Sequence, residues 1–283
     1  MGDFFIAVAE QGFLRQALLA GLLASIGCGL IGPFVVVKRI AFLAGGIAHS
    51  VLGGMGAALY FGFDPLLGAL AAAVASALLI GWVRLTWHTG EDTAIGALWA
   101  IGMAVGILFI SRTPGYTTDL MSFLFGNILL VPAREFWFMA ALDLALLLVV
   151  GLGYRHFIAV SFDEDFARLR GLPVGPLYLL LLVLVALTVV LMIQVVGLIL
   201  VIALLTLPAA VAGQWTHSIT SMMLTATLLG TALTSGGLAL SYAPDLPPGP
   251  TIILLAGALY LLSALLAAQV RRRRLPPSAS PPP

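Results

Sequence analysis

Between Leu177 and Trp215 the chain carries no charged residue, and the run is nearly twice the roughly 20 residues with which one α-helix crosses a hydrocarbon core. A single helix of that length would overshoot a bilayer, so the run must fold back on itself. The rest of the sequence has the same character. Hydrophobic residues make up 61% and charged residues 9%, against about a quarter charged in soluble domains. The chain therefore reads as an integral membrane protein. Its other apolar runs reach or approach helical crossing length and show no strand-type alternation, so the expected fold class is all-α rather than a barrel.

Charges, prolines and glycines cut the sequence into nine candidate spans, at about 17–37, 40–62, 66–83, 94–111, 136–153, 177–193, 195–215, 219–241 and 250–269. The long run is divided near Gln194 and Gly197, where a tight turn is expected. Charge asymmetry supports the count. With nine spans and the N-terminus outside, Lys38, Arg39, Arg84, Arg155, Arg168, Arg170 and Arg271 to Arg274 face inward, ten of the thirteen basic residues. Fusing the sixth and seventh spans would put the four terminal arginines opposite Lys38 and Arg39. The expected location is the inner (cytoplasmic) membrane, multi-pass, with the C-terminus cytoplasmic and lipid as a partner. The first run, from near Ala17, has no basic leader or small-residue cleavage site and is expected to remain as a span.

Residues 1–270 thus read as one transmembrane domain. The inner loop 161–176 holds three acids, a short helical stretch and then Gly171 and Pro173 as a stop signal. The outer segment 111–135 has turn residues followed by an apolar stretch too short to span, which suits a re-entrant or surface-lying cap. Residues 271–283 form a basic, proline-rich cytoplasmic tail, expected to be disordered.

His49 is the polar residue that most needs a reason. On a helix Gly45, His49, Gly53 and Ala57 share one stripe, and Gly46, Ser50, Gly54 and Ala58 the next. Small residues at this spacing let backbones approach, and His49 could hydrogen-bond across such a contact. It could also be a transient ligand, since neutral imidazole suits zinc and other first-row divalent ions. Asp92 stands where a helix N-cap is expected, or lies on a substrate path. Gly102 and Gly106 form a GxxxG packing pair. Asp143 falls near the middle of the fifth span, where a lone carboxyl is costly unless paired, hydrated or protonated. His88, His156 and His217 sit near span ends and read as interfacial.

Enzymatic signatures do not occur. The sequence has no HExxH and no GxSxG, and its one lysine, Lys38, is not in a phosphate-binding loop. The chain itself is therefore expected to be neither a hydrolase nor an ATPase, and any ATP-driven process needs a separate nucleotide-binding chain. A net charge of +1 gives no reason to expect nucleic-acid binding, and the one cysteine, Cys28, cannot close an internal disulfide.

FVVVKRIAFLAGGIAHSVLGG, EDTAIG, DLMSFLFGNILLV, SFDEDFARLRGLP, VGLILVIALLTLPAAVA and PPGPTIILL follow one another in this order. Together they make nearly the whole chain resemble the ABC-type importer permeases for zinc, manganese and iron. The resemblance implies a type II ABC importer-like fold in a homodimer, two cytoplasmic ATPases that bind ATP and magnesium, and an extracytoplasmic substrate-binding protein. It implies no cofactor in this chain, only a transported divalent metal. By position it places His49, Asp92, Asp119 and Asn127 on the substrate path, with His49 a transient metal ligand, and Phe162, Asp163, Glu164, Ala167 and Gly171 in the region coupled to the ATPase. Two positions depart from the family. Gly45 stands where an aspartate commonly pairs with the histidine, and Asn127 where an aspartate commonly follows Gly126. A lost carboxylate weakens any fixed divalent site, so a metal chelate or other small solute is the alternative cargo. An ATPase-independent carrier or channel is the alternative mechanism.

Overall fold

The computed structural model describes residues 2–87, 91–113 and 126–274, which form eleven helices and no strand. The nine long ones are α2 (Gly12–Val37), α3 (Ala41–Tyr60), α4 (Pro65–Trp87), α5 (Glu91–Arg112), α6 (Ala133–Phe162), α8 (Val174–Val196), α9 (Leu198–Trp215), α10 (Ile219–Tyr242) and α11 (Pro248–Arg274). Eight of these are long and apolar enough to cross a membrane, and α8 contains a shorter apolar stretch, Val174–Val190. Two short helices complete the described residues: α1 (Gly2–Glu10) and α7 (Glu164–Leu169). Helix α1 has no counterpart among the expected elements; its Phe4 packs edge-on against Tyr242 of α10. Several helices outrun their apolar cores, α6 by about two and a half further turns that include Arg155 and His156.

Side-chain contacts give the helix directions. Lys38, just after α2, donates to the Val160 carbonyl near the end of α6 at 2.9 Å. Arg84 in the last turn of α4 donates to the Tyr178 hydroxyl at the start of α8, also at 2.9 Å. The ends of α2, α4 and α6 and the start of α8 therefore share one face, rich in Lys and Arg. A cleft of about 710 Å³ lined by Val37, Phe162, Gln214, His217 and Ile219 brings the end of α9 and the start of α10 to the same face. Helix α8 leaves the face to which α9 returns, so the long uncharged run is an antiparallel hairpin. Its turn is one residue, Gly197, at φ +79°; an L side chain is strained there. On the opposite face Gln16 donates to the Val131 carbonyl at 2.7 Å and Arg134 pairs with Asp64 at 3.5 Å. There Gly126 packs against the backbone of Val196 and Gly197, leaving no room for a Cβ.

Helix α2 is the centre of one packing group, with α6, α8, α9 and α10 around it; α3 with α4 and α5 makes the other, and α8 joins them through α4 and α3. Without a water-driven force between helices, such contacts rest on close van der Waals fit. Asp143 of α6 violates that economy. It is buried against Gly27 of α2 and Met192 of α8, and neither carboxyl oxygen has a hydrogen-bond partner among the described residues. An unsatisfied buried polar group costs about 1–3 kcal/mol. Asp143→Leu should therefore raise the melting temperature in detergent by a few degrees, whereas Asp143→Asn, which keeps polar atoms in place, should not. A fall in both variants would show that the carboxyl is structurally satisfied after all.

Candidate functional site

Glycines set the seam between α3 and α5. A Cβ on Gly53 would sit 2.8 Å from the Gly102 carbonyl oxygen, and one on Gly56 would sit 2.6 Å from that of Gly106. This approach brings Trp99 of α5 onto His49 of α3: the rings stack at 4.1 Å between centroids and 11° between planes. His49 lies eight residues into α3, about 12 Å along its axis, and is half-buried. Among the described residues its imidazole makes no hydrogen bond, so the stack holds one ring face and leaves both nitrogens at the ring edge. Trp99 in turn lies 6.0 Å from the ring of Phe42. Phe42 lines a cleft of about 470 Å³ on the basic face, together with Lys38, Arg39, Arg84, Asp92 and Glu164. An aromatic ladder thus leads from a charged cleft to the mid-span imidazole.

Asp92 sits inside the first turn of α5 rather than ahead of it, exposed on the cleft wall. Seven residues separate it from Trp99, two turns along one helix face, so the cleft and ladder bring Asp92 and His49 into one feature. Asn127 is exposed in the irregular segment before α6, on the opposite face. Asp119 and His88 lie outside the described residues, as do the remainder of the 114–125 segment and the tail from 275. His156 and His217 are both exposed near helix ends. Gly45 is buried, and a Cβ there would fit in ordinary contact with Ile202 Cδ1 and Trp99 Cζ3, each at 3.9 Å. No three of His, Cys, Asp and Glu converge among the described residues, which leaves His49 as a single imidazole one helical turn from Gly45. Trp99 and Phe42 escaped the sequence reading because their role needs two helices at once; the seven-residue spacing from Asp92 was the available signal.

Helix α7 occupies the inner loop on the basic face. Asp163 caps it, accepting from the Phe166 N–H at 2.8 Å. Gly171 closes it at φ +74°, with its N–H bonded to the Arg168 carbonyl at 2.9 Å and that of Leu172 to the Ala167 carbonyl at 3.1 Å. Ala167 of α7 is fully buried, while Phe162, Phe166 and Leu169 are exposed at 65%, 50% and 88%, an apolar surface on an otherwise charged loop. Glu164 anchors the helix through ion pairs to Lys38 and Arg84. Partial burial alone would raise its carboxyl, but the Lys38 hydrogen bond and the charges of Lys38, Arg84 and Arg168 outweigh that and hold it below the usual carboxylate range. A depressed acid stabilises the fold above its unfolded pKa, about 4.3, and the contribution fades as pH falls through the lower folded value. The anchor should therefore persist unchanged from pH 8 to 5. Infrared difference spectra of wild type against Glu164→Gln should show the protonated carboxyl band only below that range; a band already present at pH 6 would refute the ion pairing.

Comparison with known proteins fits this geometry. Residues 10–267 match the model of the ABC 3 transport family. An uncharacterized membrane protein of Synechocystis is 47% identical, covering 93% of this chain and 94% of its own length. The manganese transport system membrane protein MntC of Halalkalibacterium halodurans is 35% identical over 92% of this chain and 89% of its own. Among solved structures, a chain of PsaBC from Streptococcus pneumoniae in complex with Fab superposes with a TM-score of 0.83 at 30% identity, covering 93% of this chain and 94% of that one. The chain belongs to the ABC 3 transport family.

Proposed function

We propose that this chain is the membrane subunit of an ATP-driven importer of divalent metal ions, with His49 lining the path. The observation that carries the reading is the position of His49. It is a half-buried imidazole at mid-span with no hydrogen bond among the described residues, linked to a charged cleft by the ring contacts of Trp99 and Phe42. Polar groups at that depth mark substrate paths. The name of the MntC relative favours manganese as a cargo; imidazole chemistry accommodates zinc and iron as well. A single imidazole binds weakly, as a path must so that the ion can leave.

The basic face is then cytoplasmic, with the N-terminus outside, and the exposed apolar residues of α7 meet a separate ATPase that binds ATP and magnesium. The opposite face, with Asn127, meets a substrate-binding protein. A second copy of the chain completes the path against the exposed side of α3 and α5. Uptake by vesicles holding the permease with its ATPase and binding protein, measured for manganese, zinc and iron, tests this: one ion should enter only with ATP. If none enters while a metal complex does, the cargo is a chelate. Entry without the ATPase would mark a carrier or channel.

A further inference from the structure

The anchor of α7 is a junction of four elements. One carboxyl oxygen of Glu164 accepts from Lys38 Nζ, at the end of α2, and from Arg84 Nη2, at the end of α4, the latter at 3.3 Å. Arg84 reaches on to α8: its Nη1 donates to the Tyr178 hydroxyl at 2.9 Å, and its guanidinium lies 4.4 Å over the Tyr178 ring. Lys38 sits over the same ring at 5.4 Å and also holds the Val160 carbonyl of α6. The Lys38 side chain is 6% exposed and Tyr178 1%. Glu164 and Arg84 are each 29% exposed, so Lys38 is the one deeply buried charge of the three, and its desolvation offsets much of the attraction. What such a network does provide is a fixed geometry between the parts it joins.

From the junction a rigid line runs to the path. Arg84 belongs to α4, and α4 meets α3 at Gly68 and Gly54, whose backbones leave no space for a Cβ on either. Contact without slack passes displacement on rather than absorbing it. Helix α3 carries His49. We propose that Lys38 and Arg84, gathered on Glu164, and Tyr178, packed against both, are positioning residues forming the joint through which movement of α7 reaches α4 and the helix bearing His49. This rests on the transport reading above. The energetic coupling runs through side chains that lie at the wall of the charged cleft, behind the exposed apolar residues of α7 that face the ATPase.

The test uses the complete complex in vesicles and reads ions imported per ATP hydrolysed. Arg84→Gln should lower this ratio by about 2- to 30-fold, the range over which residues in a coupled network shift coupling. Melting temperature and the amount of co-purified ATPase should match wild type. Arg84→Lys, which keeps the charge and loses the fork, should recover part of the ratio. An unchanged ratio in Arg84→Gln overturns the joint, and so does a parallel loss of hydrolysis, import and melting temperature, which marks a plain structural clamp. A second readout separates this proposal from the import reading. In a Cys28→Ser chain with spin labels at positions 165 and 101, ATP should change the label separation, and Arg84→Gln should suppress that change. If wild-type complex hydrolyses ATP and moves no metal, the import reading fails; the label distances still decide the joint, and a nucleotide response that survives Arg84→Gln refutes it.

Discussion

Import of the transported ion should fall at least about tenfold in His49→Ala, with expression, ATPase association and melting behaviour close to wild type. The size follows from ligand chemistry: even outer partners of a metal ligand are worth about 10–100-fold, and among the described residues no cluster of other donors surrounds the imidazole. Alanine also removes the stack on Trp99, worth about 0.5–1.5 kcal/mol, so a second variant is needed to separate packing from ligation. His49→Phe keeps an aromatic ring at 4.1 Å from Trp99 and removes both nitrogens. If His49→Phe imports as poorly as His49→Ala, the nitrogens carry the function. Normal import by His49→Phe would reduce His49 to a packing residue and move the search for the path away from it. Trp99→Leu should give a milder loss, since it frees the imidazole to rotate without removing it.

Much of this architecture was legible because a bilayer admits few solutions. Uncharged runs of crossing length, interrupted by glycine or charge, leave little choice but helices, and the basic residues separate the two faces. The hairpin at Gly197 was readable from length alone, and Asp163 and Gly171 bracket α7 by their residue types. The site was legible only in part. His49 stood out as a polar residue in an apolar span, but its partner did not: a tryptophan in an apolar helix is an ordinary residue until a neighbouring glycine lets it reach across. Lys38 and Arg84 carried a side assignment as positive charges, yet their junction on Glu164 joins residues up to 126 positions apart, a separation that no local pattern records. Helix α1 was missed because its nine residues fall short of a span.

The α3–α5 seam should be the least forgiving part of the molecule, and Gly102 its most sensitive point. A Cβ at Gly102 would lie 2.5 Å from Ser50 Cα, 3.1 Å from Ser50 Cβ and 3.3 Å from the Ser50 carbonyl oxygen. Backbone cannot swing aside as a flexible side chain does, so Gly102→Ala must push the two helices apart. Ser50 resists, because its hydroxyl donates to the Ile47 carbonyl and bonds Ser76 of α4, both at 2.8 Å. Overpacking of this kind costs about 1–3 kcal/mol, and the larger Gly102→Leu should not yield folded protein. Gly96, on the same helix with nothing within 4 Å of its would-be Cβ, is the control; alanine there should leave stability equal or raise it by up to about 1 kcal/mol. The functional consequence follows from three residues of spacing. A shift of α5 at Gly102 carries Trp99 away from His49, so Gly102→Ala should lose import out of proportion to its drop in melting temperature. If Gly102→Ala melts with wild type, the close seam is wrong, and the stack of Trp99 on His49 loses its cause.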